Sequence, residues 1–397
     1  MDLSNKAKQI NPSITLEITA KAKELKEAGI NIVSFGAGEP DFNTPENIIE
    51  AAIKAMREGK TKYTATSGII ELRNAICEKF KADNGLNYNP NQIVVSTGAK
   101  QSLANTFLAT LNKGDEVIIP VPYWVSYPEL VKLADGVPVL IETLKENDYK
   151  YTIDDLEKVV TNRTKAILLN SPNNPTGSIY TREELIEIAN FAKKYDLLII
   201  SDEIYEKLIY DDKKHVSIAS VSQDAYNRTV VINGLSKTYA MTGWRVGYAA
   251  SSLEIAKLMS SIQSHVTSNI NSISQYAALE ALTGPQESIN VMIKEFEKRR
   301  NYMVDRLNNI KGITYVKPSG AFYIMVCIKD YYGKKINGNL INSSLDFSKS
   351  ILEEEKVAVI PGIAFGLDEY IRLSYATSME IIEEGINRIE NYLKNLK

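Results

Sequence analysis

The sequence predicts an α/β protein built on a large, mostly parallel sheet of seven strands flanked by helices, with a smaller α+β part. Three observations predict it. Between about residues 46 and 265, short apolar runs alternate with stretches of helical spacing, the pattern of strands and their crossover helices. Runs such as Leu197-Leu198-Ile199-Ile200 and Ala166-Ile167-Leu168-Leu169 are continuously apolar, as buried parallel strands are. A chain of 397 residues with 44% hydrophobic content is also long enough for two ordinary cores.

Strands are expected at 92–96, 116–119, 137–141, 165–169, 197–201, 229–232 and 245–249. Helical spacing fills 68–82, 99–111, 181–194 and 252–263 between them. The breaker pair Gly284-Pro285 then precedes a long charged helix running to about 309, which links this large domain, 45–285, to the C-terminal part of the chain. Two short strands near 313–326 and helices at 342–353 and 378–396 complete the chain. The last helix carries Ile382, Ile386, Ile389 and Leu393 on one face, as a helix packed on a small sheet requires.

Composition excludes several function classes. A net charge of -3 without a dense Lys/Arg run argues against a nucleic-acid surface and for small-molecule partners. Cys77 and Cys327 form no CxxC pair, and His215 and His265 flank no HExxH pattern, so no metal site is expected. The first residues, MDLSNKAKQINPSIT, have no apolar signal core, and no stretch reaches membrane-spanning length, so a cytoplasmic protein is expected.

Chemistry enters at the strand ends. Lys237 follows the run Thr229-Val230-Val231-Ile232 and so stands just beyond a strand exit. Alone, such a lysine is most often a solvated turn residue. In a partly desolvated cleft, however, a primary amine can condense with an aldehyde cofactor and afterwards act as a base. Asp202 and Tyr205 lie just past the end of the 197–201 strand, where open α/β sheets bind ligands. Asn174 follows the 165–169 strand in the turn SPNNPTG. Asp202 by itself would read as a helix N-cap; what singles it out is convergence with Lys237, Tyr205 and Asn174 from three strand ends.

Eight motifs occur in order along nearly the whole chain: GAGEPDF (36–42), KYTATSGI (62–69), PYWVSYPE (122–129), SPNNPTG (171–177), SDEIY (201–205), SKTYAMTGWR (236–245), PSGAFY (318–323) and RLSYATS (372–378). Together they resemble the class I pyridoxal-phosphate aminotransferases of fold type I, and most closely the bacterial aspartate aminotransferase subgroup. The resemblance implies that residues 1–44 join 286–397 in the small domain, and that Lys237 is both the Schiff-base anchor and the proton carrier of a ping-pong transamination. Asp202 would face the pyridine nitrogen, favouring the protonated ring. Tyr205 and Asn174 would hold the ring oxygen, and Trp124 would stack on the ring. The Asn174-Pro175 bond is expected to be cis.

For the phosphate, the backbone of Gly98, Ala99 and Lys100 opens a helix, and Arg245 and Ser236 add donors. Gly234 stands where the family often has a serine, a departure that removes one phosphate contact or leaves it to Ser236. Tyr63 would reach the neighbouring subunit's phosphate, implying a homodimer. Arg372 would take the substrate α-carboxylate, beside Gly38. Lys100, Ser13 and Thr15 would hold the distal carboxylate of aspartate or glutamate, with 2-oxoglutarate as acceptor. Asn11 stands where prephenate-using relatives carry lysine, which argues against prephenate. The alternatives are an aminotransferase for alanine, aromatic or other neutral amino acids and, behind it, a carbon-sulfur lyase. A nicotinamide dehydrogenase is excluded because GAGEPD lacks the third glycine. A transcription regulator of this body would need an added DNA-binding domain, and none is expected ahead of the first motif.

Overall fold

The computed structural model describes all 397 residues. Its main sheet comprises β1 (Ile93–Thr97), β2 (Glu116–Val121), β3 (Val137–Glu142), β4 (Thr164–Asn170), β5 (Leu198–Asp202), β6 (Thr229–Gly234) and β7 (Val246–Ala250). The spatial order is β1-β7-β6-β5-β4-β2-β3, and only β7 runs antiparallel to its neighbours. Every expected strand is present within two residues at either end. The central strands read clearly because both faces are covered: Ala166 and Leu168 enter one apolar core, while Ile167 and Leu169 enter another.

The boundary of the last strand moves for a physical reason. Arg245 was expected inside it, yet Arg245 sits in the left-handed region at φ 57°, and β7 begins at Val246. That turn carries its guanidinium over Gly98.

A second, antiparallel sheet has the order β10-β11-β9-β8, formed by β8 (Thr314–Tyr315), β9 (Tyr323–Cys327), β10 (Ile360–Pro361) and β11 (Tyr370–Ser374). Neither β10 nor β11 was expected. The polar Arg372 interrupts the apolar pattern of β11, although all but its first residue are buried. The helix Met379–Asn395 lays Ile382, Ile386, Ile389 and Leu393 into this sheet's core, as its spacing predicts. The N-terminal segment joins the same layer, through Val33–Ser34 beside Val357–Ala358 and the Ser374 N–H donating to the Phe35 carbonyl at 2.9 Å.

The long charged helix expected after Gly284-Pro285 is present as Glu287–Leu307, and a further helix, Ser272–Thr283, not expected from the sequence, precedes the breaker. Short helices at Ser126–Leu133, Ile153–Val159 and Gln223–Arg228 were not expected either.

Candidate active site

A cavity of about 440 Å³ lies where the carboxyl ends of β4, β5 and β6 meet the second sheet. Its lining joins Asn174, Asp202 and Tyr205, Ser236 and Lys237 from the main sheet to Tyr323 and Arg372 from the second. Ser13, Thr15 and Gly38 of the N-terminal segment close it, together with Ala99, Lys100, Trp124 and Arg245. Two expected residues fall outside this lining. Gly98 lies beneath the Arg245 guanidinium, and Tyr63 is 92% exposed, away from the cavity of its own chain.

Lys237 is half-buried, and its Nζ donates to the Gly38 carbonyl at 2.5 Å. Desolvation brings its amine down to about 8 against the opposing pull of Glu39, with the Arg245 and Arg372 guanidiniums adding to the fall. The solvated-turn reading therefore fails. Asp202 is buried at the end of β5; its Oδ2 accepts from the Tyr127 hydroxyl at 2.8 Å and its Oδ1 from the Ile204 N–H at 3.2 Å. Desolvation nonetheless lifts its carboxyl to about 6, a carboxylate short of positive partners. Asn170 donates to the Asp202 carbonyl at 3.0 Å and accepts from the Asn174 N–H at 2.9 Å, tying two strand ends together. The Asn174-Pro175 bond is cis, as expected.

Arg372 is a buried cation without a counter-charge. It is 4% exposed and has no ion-pair partner; its guanidinium donates to Asn174 Oδ1 at 3.1 Å and the Gly36 carbonyl at 3.2 Å, while Nε has no partner at all. Its Cζ sits 4.3 Å from the Tyr323 ring centroid and 5.0 Å from that of Phe365. An unpaired buried cation costs several kcal/mol, so the arrangement calls for an anion. In the same cavity, Lys100 Nζ lies 4.9 Å from the Trp124 ring centroid, and desolvation and Arg245 lower its amine from the ordinary range. The Ser13 and Thr15 hydroxyls are 2.9 Å apart and hydrogen-bond to each other.

A second cradle opens at the helix Ala99–Thr110. Gly98 has φ 79°, and a Cβ there would stand 2.4 Å from an Arg245 nitrogen; a Cβ on Gly247 would meet the Ala99 backbone nitrogen at 2.1 Å. Guanidinium and helix start are thus packed as an anion site with no room for side chains. Gly234 belongs to the same close packing, since a Cβ there would meet the Val246 carbonyl at 2.9 Å. Ser236, 6% exposed, lines the cavity instead.

Several lining groups carried no usable signal in the sequence. Tyr127 and Tyr323 lie inside the quoted motifs PYWVSYPE and PSGAFY but were given no role there; the Tyr323 hydroxyl is 3.1 Å from that of Tyr205. Glu39 accepts from Thr242 Oγ1 at 2.6 Å, joining GAGEPDF to the Lys237 loop. His215 packs on Glu203 at 2.8 Å, where Ser201 and Ser217 also donate, so this histidine braces the strand end that bears Asp202.

An amine, a carboxylate and a guanidinium without a counter-charge, gathered at the strand ends of a parallel sheet, define an α/β enzyme that works on an anionic substrate through a bound cofactor. The profile of the family described as aminotransferase class I and II matches residues 30–389. Aspartate aminotransferases of Bacillus sp. (strain YM-2) and Bacillus subtilis (strain 168) are 52% and 51% identical to this chain, with 99% of each chain covered. The crystal structure of the aspartate aminotransferase from Rhizobium meliloti superposes with a TM-score of 0.96 at 41% identity over 100% of both chains. The chain belongs to the class I and II aminotransferases, and its cofactor is pyridoxal 5′-phosphate. The residues present fit that group, with a close-packed anion cradle at Gly98 and Arg245, an under-neutralised Asp202 and a Lys237 amine brought down to about 8.

Proposed function

We propose that this enzyme transfers the amino group of L-aspartate to 2-oxoglutarate by a ping-pong mechanism. The observation that carries the substrate class is Arg372, a buried guanidinium with an unpartnered Nε, lining one cavity with Lys100, Ser13 and Thr15. Two cationic groups in one cavity suit a dicarboxylic amino acid. A neutral side chain would leave Lys100 without a counter-charge, and a lyase would gain nothing from it. The relatives at about 50% identity that are named aspartate aminotransferase support the same choice.

Pyridoxal phosphate, when bound, supplies an aldehyde that joins to amines and a ring that withdraws electrons from the substrate Cα. The chain's own residues do the rest. Arg372 holds the α-carboxylate and so fixes which bond at Cα is presented. Lys237 would anchor the cofactor's aldehyde carbon at rest and, once displaced by the substrate amine, would carry the proton that leaves Cα. An amine near 8 is neutral often enough at physiological pH to do this. Asp202 would meet the cofactor's ring nitrogen, with Tyr127 and the Ile204 N–H fixing the carboxylate's direction. Tyr205 and Asn174 would hold the ring oxygen, and Trp124 would stack on the ring. The Gly98, Ala99 and Lys100 backbone, Ser236 and Arg245 would hold the phosphate, while Gly38 would give the substrate close access to the backbone.

We read residues 45–285 as the cofactor domain and 1–44 with 286–397 as the smaller one. The exposed Tyr63 supports a homodimer in which it completes a neighbour's phosphate site. No helix is long and apolar enough to cross a membrane, and a cytoplasmic location is the reading consistent with amino-acid metabolism.

The test is a single-turnover half-reaction of the loaded enzyme with L-aspartate and no acceptor, following cofactor absorbance and oxaloacetate. Stoichiometric oxaloacetate is expected. An unchanged spectrum with aspartate, alongside conversion by alanine or phenylalanine, would replace the dicarboxylic reading with the neutral one.

A further inference from the structure

Away from the active site, a cleft of about 350 Å³ is lined by an unusual excess of cations, and it shares no residue with the catalytic cavity. Lys150, Arg182, Lys213, Lys214 and Lys317 face it, against the single carboxylate of Asp148. Two of the five are already engaged. Lys150 pairs with Glu184 at 2.5 Å and stands 3.8 Å from Asp148, while Lys317 shares Asp211, at 3.2 Å, with the buried Arg300. The other three are not. Lys213 Nζ reaches only the neutral Ser319 Oγ at 2.8 Å, and Arg182 and Lys214 make no ion pair.

A second observation is independent of the charges. Ser178, 6% exposed, also lines the cleft, and its hydroxyl has no hydrogen-bond partner in the protein. A buried hydroxyl without a partner costs about 1–3 kcal/mol in general, so such groups ordinarily meet a ligand or water. Mutual repulsion among three uncompensated cations falls in the same way when an anion enters.

We propose that this cleft binds a small phosphate-bearing anion, with Lys213 and Lys214 as point charges and the Arg182 guanidinium as a bidentate donor. The site lies on a seam that matters for the enzyme. Ser178 and Arg182 follow the turn that carries Asn174, and Lys317 and Ser319 precede Gly320. The Ser319 and Gly320 N–H groups both donate to the Gly177 carbonyl at 2.9 Å. An anion held there ties the Asn174 turn to the segment entering β9, and so acts on the active site without entering it.

The test is calorimetric titration of the cofactor-loaded enzyme, at low ionic strength, with inorganic pyrophosphate and separately with ADP. Cofactor absorbance is followed throughout to confirm that the phosphate cradle stays filled. Binding is expected in the wild type and about tenfold weaker in Lys213→Ala/Lys214→Ala, with no change in the surface control Lys334→Ala/Lys394→Ala. Equal affinities for the two probes would mean that the phosphates alone are recognised; tighter ADP binding would identify a nucleotide. No heat with either probe, or an affinity that Lys213→Ala/Lys214→Ala leaves unchanged, overturns the proposal.

Discussion

The two ends of the active-site cavity are built on opposite plans. At the Asp202 end, each carboxylate oxygen has a donor, the strand ends are cross-braced by Asn170, and Glu203 and His215 buttress the layer behind. At the Arg372 end, a buried guanidinium keeps one nitrogen without a partner, and the Ser13 and Thr15 hydroxyls bond only to each other. The difference separates a permanent occupant from a transient one. A cofactor that stays is met by a pre-organised wall, whereas a substrate that comes and goes twice per cycle is met by groups whose hydrogen bonds are still to be made.

Mutations at each end test that contrast. Lys237→Ala removes the one group that serves both ends; steady-state transamination is expected to fall by at least about 10³-fold, the upper part of what acid-base catalysis supplies. Turnover within tenfold of wild type would remove Lys237 from the mechanism. At the substrate end, Arg372→Lys keeps the charge but loses the fork, so kcat/KM for aspartate should fall by about 10²-fold, with cofactor affinity unchanged. Loss of cofactor binding in that variant would show that the two ends are not independent.

At the cofactor end, Tyr127→Phe is the mildest probe. The Tyr127 hydrogen bond holds the Asp202 carboxyl down, against the desolvation that lifts it to about 6. A raised carboxyl pKa means that the charged form, the one that favours a protonated ring, is lost as pH falls through that value. Affinity of the cofactor-free protein for pyridoxal phosphate should therefore weaken below about pH 6 in the wild type. In Tyr127→Phe the same weakening should begin at higher pH, with an effect of only a few-fold at neutral pH. Superimposable pH profiles would mean that the Tyr127 contact is merely structural.

Much of this layout was legible in the chain, and the exceptions share a cause. Strands buried on both faces announce themselves as unbroken apolar runs, which is why β4, β5 and β6 sit where the sequence puts them. The strand bearing Arg372 did not, because a functional cation in a buried position breaks the pattern by which buried strands are recognised. Arg245 was misassigned to a strand for a related reason, as a left-handed backbone at a non-glycine residue has no signature in sequence. Tyr127, Tyr323 and Asn170 are common core or strand-end residues whose chemistry appears only once the topology brings them beside Asp202, Tyr205 and Asn174. Tyr63 is the converse: its motif was readable, but a single chain leaves it in solvent.

The glycines at 234 and 247 lie opposite each other in the β6–β7 register, and neither tolerates a Cβ. An engineer hoping to tighten phosphate binding by restoring a hydroxyl at 234 would be pushing two strands apart. The floor of the cradle is sealed from below, and any retuning of its affinity has to come from the rim, at Ser236 and Arg245.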